Sequence, residues 1–74
     1  MNKAIDYLKR ELEVELIEDG FFYSIFESDK YRVKLIFRDR TFKRDGYQIH
    51  INDYFVKFTK WSDLYGIVDL FKNN

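Results

Sequence analysis

Aromatic and basic side chains alternate along several predicted strands, and these residue types are the ones best suited to bind a partner. In the run from Tyr31 to Arg38, Arg32 and Lys34 alternate with apolar residues. Successive side chains of a strand point to opposite faces, so the basic residues should share one face of the sheet. We expect that face to display, strand by strand, Phe22, Ser24 and Phe26; Arg32, Lys34, Ile36 and Arg38; Gln48, His50 and Asn52; Phe55, Lys57 and Thr59.

Such a face suits two kinds of macromolecule. Aromatic rings stack on nucleic-acid bases while Lys and Arg pair with phosphates. Aromatic residues and Arg are also the types enriched in the energetic centres of protein interfaces. A third interpretation gives the face no partner: the Lys and Arg stems simply cover the outer side of a sheet whose register differs from this assignment.

A basic segment, residues 38–46, joins two of the predicted strands. It contains Arg38, Arg40, Lys43 and Arg44 around a single aromatic residue, Phe42. A loop of this composition could probe a groove or an acidic pocket of a partner. In the alternative interpretation it is a solvated connection whose Phe42 folds back onto the sheet.

The residues available for catalysis are few. His50 is the only histidine, and Asp53 is the nearest acid across a predicted turn. There is no Cys, and the three glycines lie too far apart to form a phosphate-binding loop. Acidic residues near the N-terminus, such as Glu11 and Glu13, read better as a solvated edge than as metal ligands. We therefore expect no enzyme, no catalytic residue, no cofactor and no metal site.

Charge is strongly polarised along the chain. Nine of the thirteen basic residues lie between Lys30 and Lys60, where only three acidic residues oppose them, so this part carries a local charge of +6 within a formally neutral protein. The first twenty residues are acidic. A polarised surface of this kind orients partners through its field. A nucleic-acid module is usually basic overall, and the zero net charge therefore favours a protein partner.

The periodicity of apolar residues predicts the elements that must position these side chains. Ile5, Leu8 and Leu12 mark a helix from about Asn2, and Trp61, Leu64, Val68 and Phe71 mark a second helix. Between them the alternation predicts strands at 13–18, 21–27, 31–38, 47–51 and 54–59, although residues 13–18 also continue the helical pattern. Asp19-Gly20 and Asn52-Asp53 are typical two-residue turns.

These elements predict a small two-layer α+β sandwich. An antiparallel meander sheet of four or five strands should carry the N-terminal and the C-terminal helix on one face, within a single domain spanning residues 1–74. The absence of Cys favours an intracellular protein, and no stretch has the roughly 18–20 apolar residues needed to cross a membrane. We expect a cytoplasmic protein with no membrane partner.

The function predicted from the sequence is binding without catalysis. We expect a protein-binding module that inhibits or modulates a host or defence macromolecule by occluding its surface. The composition is rich in residues with AT-rich codons, which is typical of a phage or mobile-element accessory protein. A homodimer is expected in the absence of a partner, and a nucleic-acid-binding protein is the alternative. The predicted partner-binding residues are Phe22, Phe26, Arg32, Lys34, Arg38, Arg40, Phe42, Lys43, Arg44, Phe55 and Lys57.

Overall fold

The computed structural model describes residues 3–37 and 46–73. Within them, the order of elements along the chain is helix, five strands, helix, as the sequence predicts. The elements are α1 (Lys3–Leu12), β1 (Glu15–Asp19), β2 (Tyr23–Glu27), β3 (Arg32–Phe37), β4 (Tyr47–Ile51), β5 (Tyr54–Phe58) and α2 (Asp63–Lys72). Neither helix in this part of the chain is long and apolar enough to span a membrane.

The five strands form an antiparallel meander in the order β1-β2-β3-β4-β5. Their register aligns three rows of side chains on the face that the helices cover. The first row is Leu16, Phe26, Val33, Ile51 and Tyr54; the second is Asp19, Ser24, Leu35, Ile49 and Val56; the third is Phe22, Phe37, Tyr47 and Phe58. The predicted helix-facing side of β3, β4 and β5 is confirmed.

Both helices lie on this face and run in the same direction. Tyr7 of α1 packs its ring 4.8 Å from that of Tyr65 and donates a hydrogen bond of 2.6 Å to Asp69. One turn further along, Lys72 of α2 pairs with Glu11 of α1. The core forms where the helices meet the sheet, from Ala4, Leu8 and Leu12 of α1 and from Leu64, Ile67 and Val68 of α2.

A left-handed residue separates α1 from β1. Glu13 has φ 54°, and the Val14 amide donates to the Lys9 carbonyl over 3.1 Å. A bond spanning five residues across a left-handed residue is the Schellman arrangement that ends a helix. Val14, 3% exposed, then enters the core. Residues 15–19 are therefore strand, which settles the alternative that the sequence pattern left open.

Trp61 anchors the segment between β5 and α2. Its ring lies 4.2 Å from Tyr47, 5.9 Å from Phe58 and 6.0 Å from Phe37, measured between ring centroids. The Trp61 ring therefore packs against the third row of side chains, at the end of the sheet where α2 begins. Phe71, near the other end of α2, packs edge-on against Tyr54 at 5.1 Å. Both rings therefore pack against residues of the sheet, and Trp61, which the spacing placed on the second helix, precedes α2.

Candidate binding surfaces

The second face of the sheet, which we call the outer face, carries no helix. The register assigns to it Glu15 and Glu18 of β1; Tyr23, Ile25 and Glu27 of β2; Arg32, Lys34 and Ile36 of β3; Gln48 and His50 of β4; and Phe55 and Lys57 of β5. Of the predicted partner-binding residues, Arg32, Lys34, Phe55 and Lys57 lie on this face, and all four are exposed.

Internal contacts engage much of the charge on the outer face. Arg32 lies 3.6 Å from the carboxylate of Glu27, and the Lys34 ammonium lies 5.3 Å from the centre of the Tyr23 ring. The Tyr23 hydroxyl donates to Glu18, which raises the pKa of that phenol. Among the described residues this face therefore holds three basic and three acidic side chains, and its local charge is balanced rather than basic.

Three predicted outer-face residues, all on or beside β2, lie on the other side of the sheet. Phe26 is 2% exposed and faces Val33 in the core, so its expected place on a binding surface is wrong. Phe22 accepts a hydrogen bond of 2.6 Å from the Phe37 amide and follows the helix-covered register. Ser24 is buried with them and donates to Asp19 over 2.7 Å. The phase of β2 is therefore the reverse of the predicted one.

Five of the predicted partner-binding residues belong to the basic segment. Arg38, Arg40, Phe42, Lys43 and Arg44 fall outside the described residues. Their expected contacts with a partner stay predictions.

An apolar surface of which only Phe22 was among the predicted partner-binding residues lies on the β1–β2 hairpin. Gly20 donates to the Tyr23 carbonyl over 2.7 Å, which places Phe21 and Phe22 at the tip instead of Asp19-Gly20. Phe21 is 89% exposed and its ring packs edge-on against Phe22 at 4.6 Å. We call Leu16, Ile17, Phe21 and Phe22 the hairpin surface; the other three are 45%, 53% and 48% exposed. The feature of the sequence that could have predicted this surface is the pair Phe21 and Phe22 directly after Gly20.

β1, which carries half of this surface, is an edge strand of the sheet. All five of its residues are exposed, and the register with β2 shifts at Ile17, as in a β-bulge. Edge strands leave a row of backbone donors and acceptors unpaired, and bulges and charges limit uncontrolled pairing there. The acidic residues Glu15, Glu18 and Asp19 give this edge a negative charge.

His50 stacks on Phe55, with 4.7 Å between ring centroids. Across the register it stands beside Lys34. No group of three or more metal-ligating side chains occurs in residues 3–37 and 46–73. The contacts of His50 in this structure are those of a surface residue in a stacked pair.

Two clefts open at the end of the sheet opposite the hairpin tip, where both helices end. One, of about 460 Å³, is lined by Glu11, Leu12, Glu13, Ser28, Asp29, Lys30, Tyr31 and Lys72. The other, of about 380 Å³, is lined by Lys30, Tyr31, Asn52, Asp53, Tyr54 and Phe71, and we call it the tyrosine cleft. The clefts adjoin at Lys30 and Tyr31.

The ion pair beside these clefts should make stability depend on pH. The hydrogen bonds from Lys72 and Arg10 hold the pKa of Glu11 below its ordinary value, and Glu11 raises the pKa of Lys72. A carboxyl with a lowered folded-state pKa stabilises the protein above its unfolded-state pKa, and this contribution is lost as pH falls through the folded-state value. For Lys72 the contribution is present below the ordinary Lys pKa and is lost as pH rises through the raised value.

We therefore expect Glu11→Gln to lower the urea midpoint at pH 7, and the difference from the wild type to shrink near pH 2–3, below the ordinary pKa of about 4.3 for Glu. Glu15→Gln is the matched control, because Glu15 makes no ion pair with any residue that the structure describes. If Glu11→Gln lowered the urea midpoint by the same amount at both pH values, the result would contradict this explanation.

The surfaces of the chain are the basis for assigning its function. Comparisons with known protein families, with curated proteins and with solved structures give no match to this sequence or fold.

Proposed function

We propose that this chain is a non-enzymatic protein-binding module that attaches to a larger protein through the hairpin surface and the adjoining acidic edge of β1. The observation that carries the proposal is the exposure of Phe21, at 89%, next to Phe22 and on the same hairpin as the exposed Leu16 and Ile17. Contiguous exposed apolar patches on soluble proteins often mark sites of interaction. Phenylalanine is also enriched in interface centres.

The charge around the hairpin surface indicates the chemistry of the partner. Glu15, Glu18 and Asp19 flank the apolar side chains, so a complementary surface would be apolar with a basic rim. The same charges oppose pairing of two β1 edges. In the symmetric antiparallel register centred on Ile17, Glu15 would lie opposite Asp19, and like charges directly opposite each other are destabilising.

The homodimer expected from the sequence is a separate proposal, because it uses the outer face. That dimer would bury Phe22, Phe26, Ile36 and Phe55 between two copies, because the predicted alternation placed all four side chains on the outer face. Phe26 is in the core and Phe22 follows the helix-covered register, which leaves Ile36 and Phe55 as apolar contacts. The structure therefore supports a foreign protein at the hairpin surface more than self-association through the outer face.

Occlusion is the mode of action that we propose. A small, stable surface that covers part of a larger macromolecule can inhibit it without chemistry, and this suits an accessory protein of a phage or mobile element. Nucleic acid is the second candidate partner. It is supported by the exposed Lys34, Lys57 and Phe55 of the outer face, and it is opposed by the pairing of Arg32 with Glu27.

The proposal predicts that capture of a partner depends on Phe21. We expect immobilised wild-type protein to retain a specific protein from a low-GC bacterial lysate, and Phe21→Ser to lose it, because an exposed interface aromatic contributes on the order of 2 kcal/mol or more to binding. Leu70→Ser is the matched control, since Leu70 is 66% exposed on α2, away from the hairpin. Unfolding curves of both variants should match the wild type.

Two results would overturn this assignment. Equal loss from both variants would mean that the retained protein recognises exposed apolar residues in general. Retention that disappears after nuclease treatment, with a steep salt dependence, would transfer the assignment to nucleic acid. Sedimentation of the wild type near 50 μM, against Phe55→Glu, reports separately on the dimer.

A further inference from the structure

We propose that the tyrosine cleft is a second binding site, and that it receives an arginine side chain presented by another protein. The cleft lies at the opposite end of β2 from the hairpin tip. The inference therefore goes beyond the proposed function and holds whether or not the hairpin surface binds a partner. The proposal is based on four observations: the aromatic walls, their fixed geometry, the Asp53 carboxylate in the lining and the Lys30 ammonium that lies over one ring.

Three of the lining residues that the structure describes are aromatic: Tyr31, Tyr54 and Phe71. Tyr54 is 66% exposed and meets Phe71 edge-on at 5.1 Å, so the two rings present surfaces at 84° to each other. An exposed aromatic face attracts a cation through the ring quadrupole. A planar guanidinium also stacks on such a face, which an ammonium cannot do.

The walls are held in place before any ligand arrives. Ser28 Oγ accepts hydrogen bonds from the amides of Lys30, at 3.2 Å, and Tyr31, at 3.1 Å. Asn52 fixes the turn between β4 and β5. Its side-chain oxygen accepts a hydrogen bond from the Arg32 backbone amide, and its backbone amide donates to the Arg32 carbonyl, both at 2.9 Å. Fixed walls reduce the ordering that binding would otherwise require.

A further hydrogen bond joins the sheet to α2 across the cleft. The Tyr31 hydroxyl donates to the Phe71 carbonyl over 3.3 Å. It thereby ties the first turn to the last turn of the helix, and the aromatic walls keep their spacing.

Among the described residues, the lining contains one carboxylate, that of Asp53, which could pair with a cation. Asp53 forms no ion pair with any of the residues 3–37 and 46–73, so its carboxylate is available to a ligand. Glu13 and Asp29 line the adjoining cleft. The C-terminal end of α2 lies at the same place, and the helix dipole gives this end partial negative charge. A carboxylate together with carbonyl oxygens matches the planar donor set of a guanidinium.

Lys30 shows how a cation sits in this cleft. Its ammonium lies 5.4 Å from the centre of the Tyr31 ring and supplies the positive charge among the described residues of the lining. An incoming guanidinium would take the Tyr54 and Phe71 side and would be repelled by Lys30. This arrangement predicts opposite signs for two substitutions: loss of Asp53 weakens the binding, and loss of Lys30 strengthens it.

The test is an NMR titration of the full chain with N-acetyl-arginine amide, followed at the ring protons of Tyr31, Tyr54 and Phe71. We expect saturable shifts with a dissociation constant on the order of millimolar or weaker, since exposed cation–π and ion-pair contacts are individually small. N-acetyl-citrulline amide has the same shape without the charge. It should bind at least fivefold more weakly. Equal shifts from the two probes, or no saturation by either, would overturn the proposal.

Substitutions test whether the cleft binds a cation or an anion. Asp53→Asn and Tyr54→Leu should each weaken arginine binding at least threefold, and Lys30→Gln should strengthen it by about the same factor. The reverse pattern at Asp53 and Lys30 would show an anion site and would overturn the assignment. Phe21→Ser, at the far end of the sheet, should leave the titration unchanged, so that failure here and failure at the hairpin surface are distinguishable.

Discussion

Replacement of Phe26 by alanine is expected to leave the protein largely unfolded at 37 °C. Phe26 is one of the largest fully buried side chains and lies between Leu16 and Val33 in the first row of the sheet. Truncation of a buried Phe costs about 3–5 kcal/mol through lost burial and the cavity left behind. The whole free energy of unfolding of a 74-residue chain is roughly 4–11 kcal/mol.

Urea unfolding followed by far-ultraviolet circular dichroism measures this effect. Phe21→Ala is the matched control, because it makes the same chemical change at a ring that is 89% exposed, and such changes usually stay within about 0.5 kcal/mol. The pair also tests the phase of β2. If Phe21→Ala were the more damaging of the two, Phe26 would belong to a surface, as the alternation of the sequence suggested.

Alanine at the two glycines 46 and 66 is expected to act in opposite directions. Gly46 has φ +65°, and a Cβ there would lie 2.6 Å from the Phe58 carbonyl oxygen. Left-handed backbone and a clash with main chain should together cost about 2–4 kcal/mol. Gly66 lies within α2 with open space around the position of a Cβ. Its replacement should stabilise the protein by about 0.5–1 kcal/mol through helix propensity.

The same urea measurement compares the two alanine variants with the wild type. Gly46→Asn separates the causes of the first effect, since asparagine tolerates positive φ yet still carries a Cβ. A stability close to that of Gly46→Ala would assign the cost to the contact with Phe58. Stabilisation by Gly46→Ala would show that the backbone there is not left-handed.

Sequence periodicity predicted the fold where only one phase of a strand is apolar. In β3 and β4 the core positions Val33, Leu35, Ile49 and Ile51 alternate with Arg32, Lys34, Gln48 and His50, and both strands formed as expected. In residues 21–26 both phases are rich in apolar side chains, so alternation does not choose a face. The pairing of β2 with β3 makes that choice, and it buries Phe26.

Two further features depend on backbone geometry that cannot be inferred from residue types. The left-handed position that ends α1 is occupied by Glu13 and not by glycine. The bulge at Ile17 shifts the register of β1 and ends simple alternation along that strand. The predicted candidate site therefore included Arg32 and Lys34 of β3, Phe55 and Lys57 of β5, and Phe22 of the hairpin surface. It missed Leu16, Ile17 and Phe21 of the hairpin surface and the tyrosine cleft.

The meander also has a consequence for the order in which the molecule assembles. Every strand pairs only with its neighbours along the chain, so each sheet contact closes a short loop at small entropic cost. The contacts between the helices join residues as far apart as Tyr7 and Asp69, separated by 62 positions. Docking of α2 against α1 should therefore come last. During synthesis, the apolar face of the sheet therefore stays partly uncovered until residues 63–72 have left the ribosome.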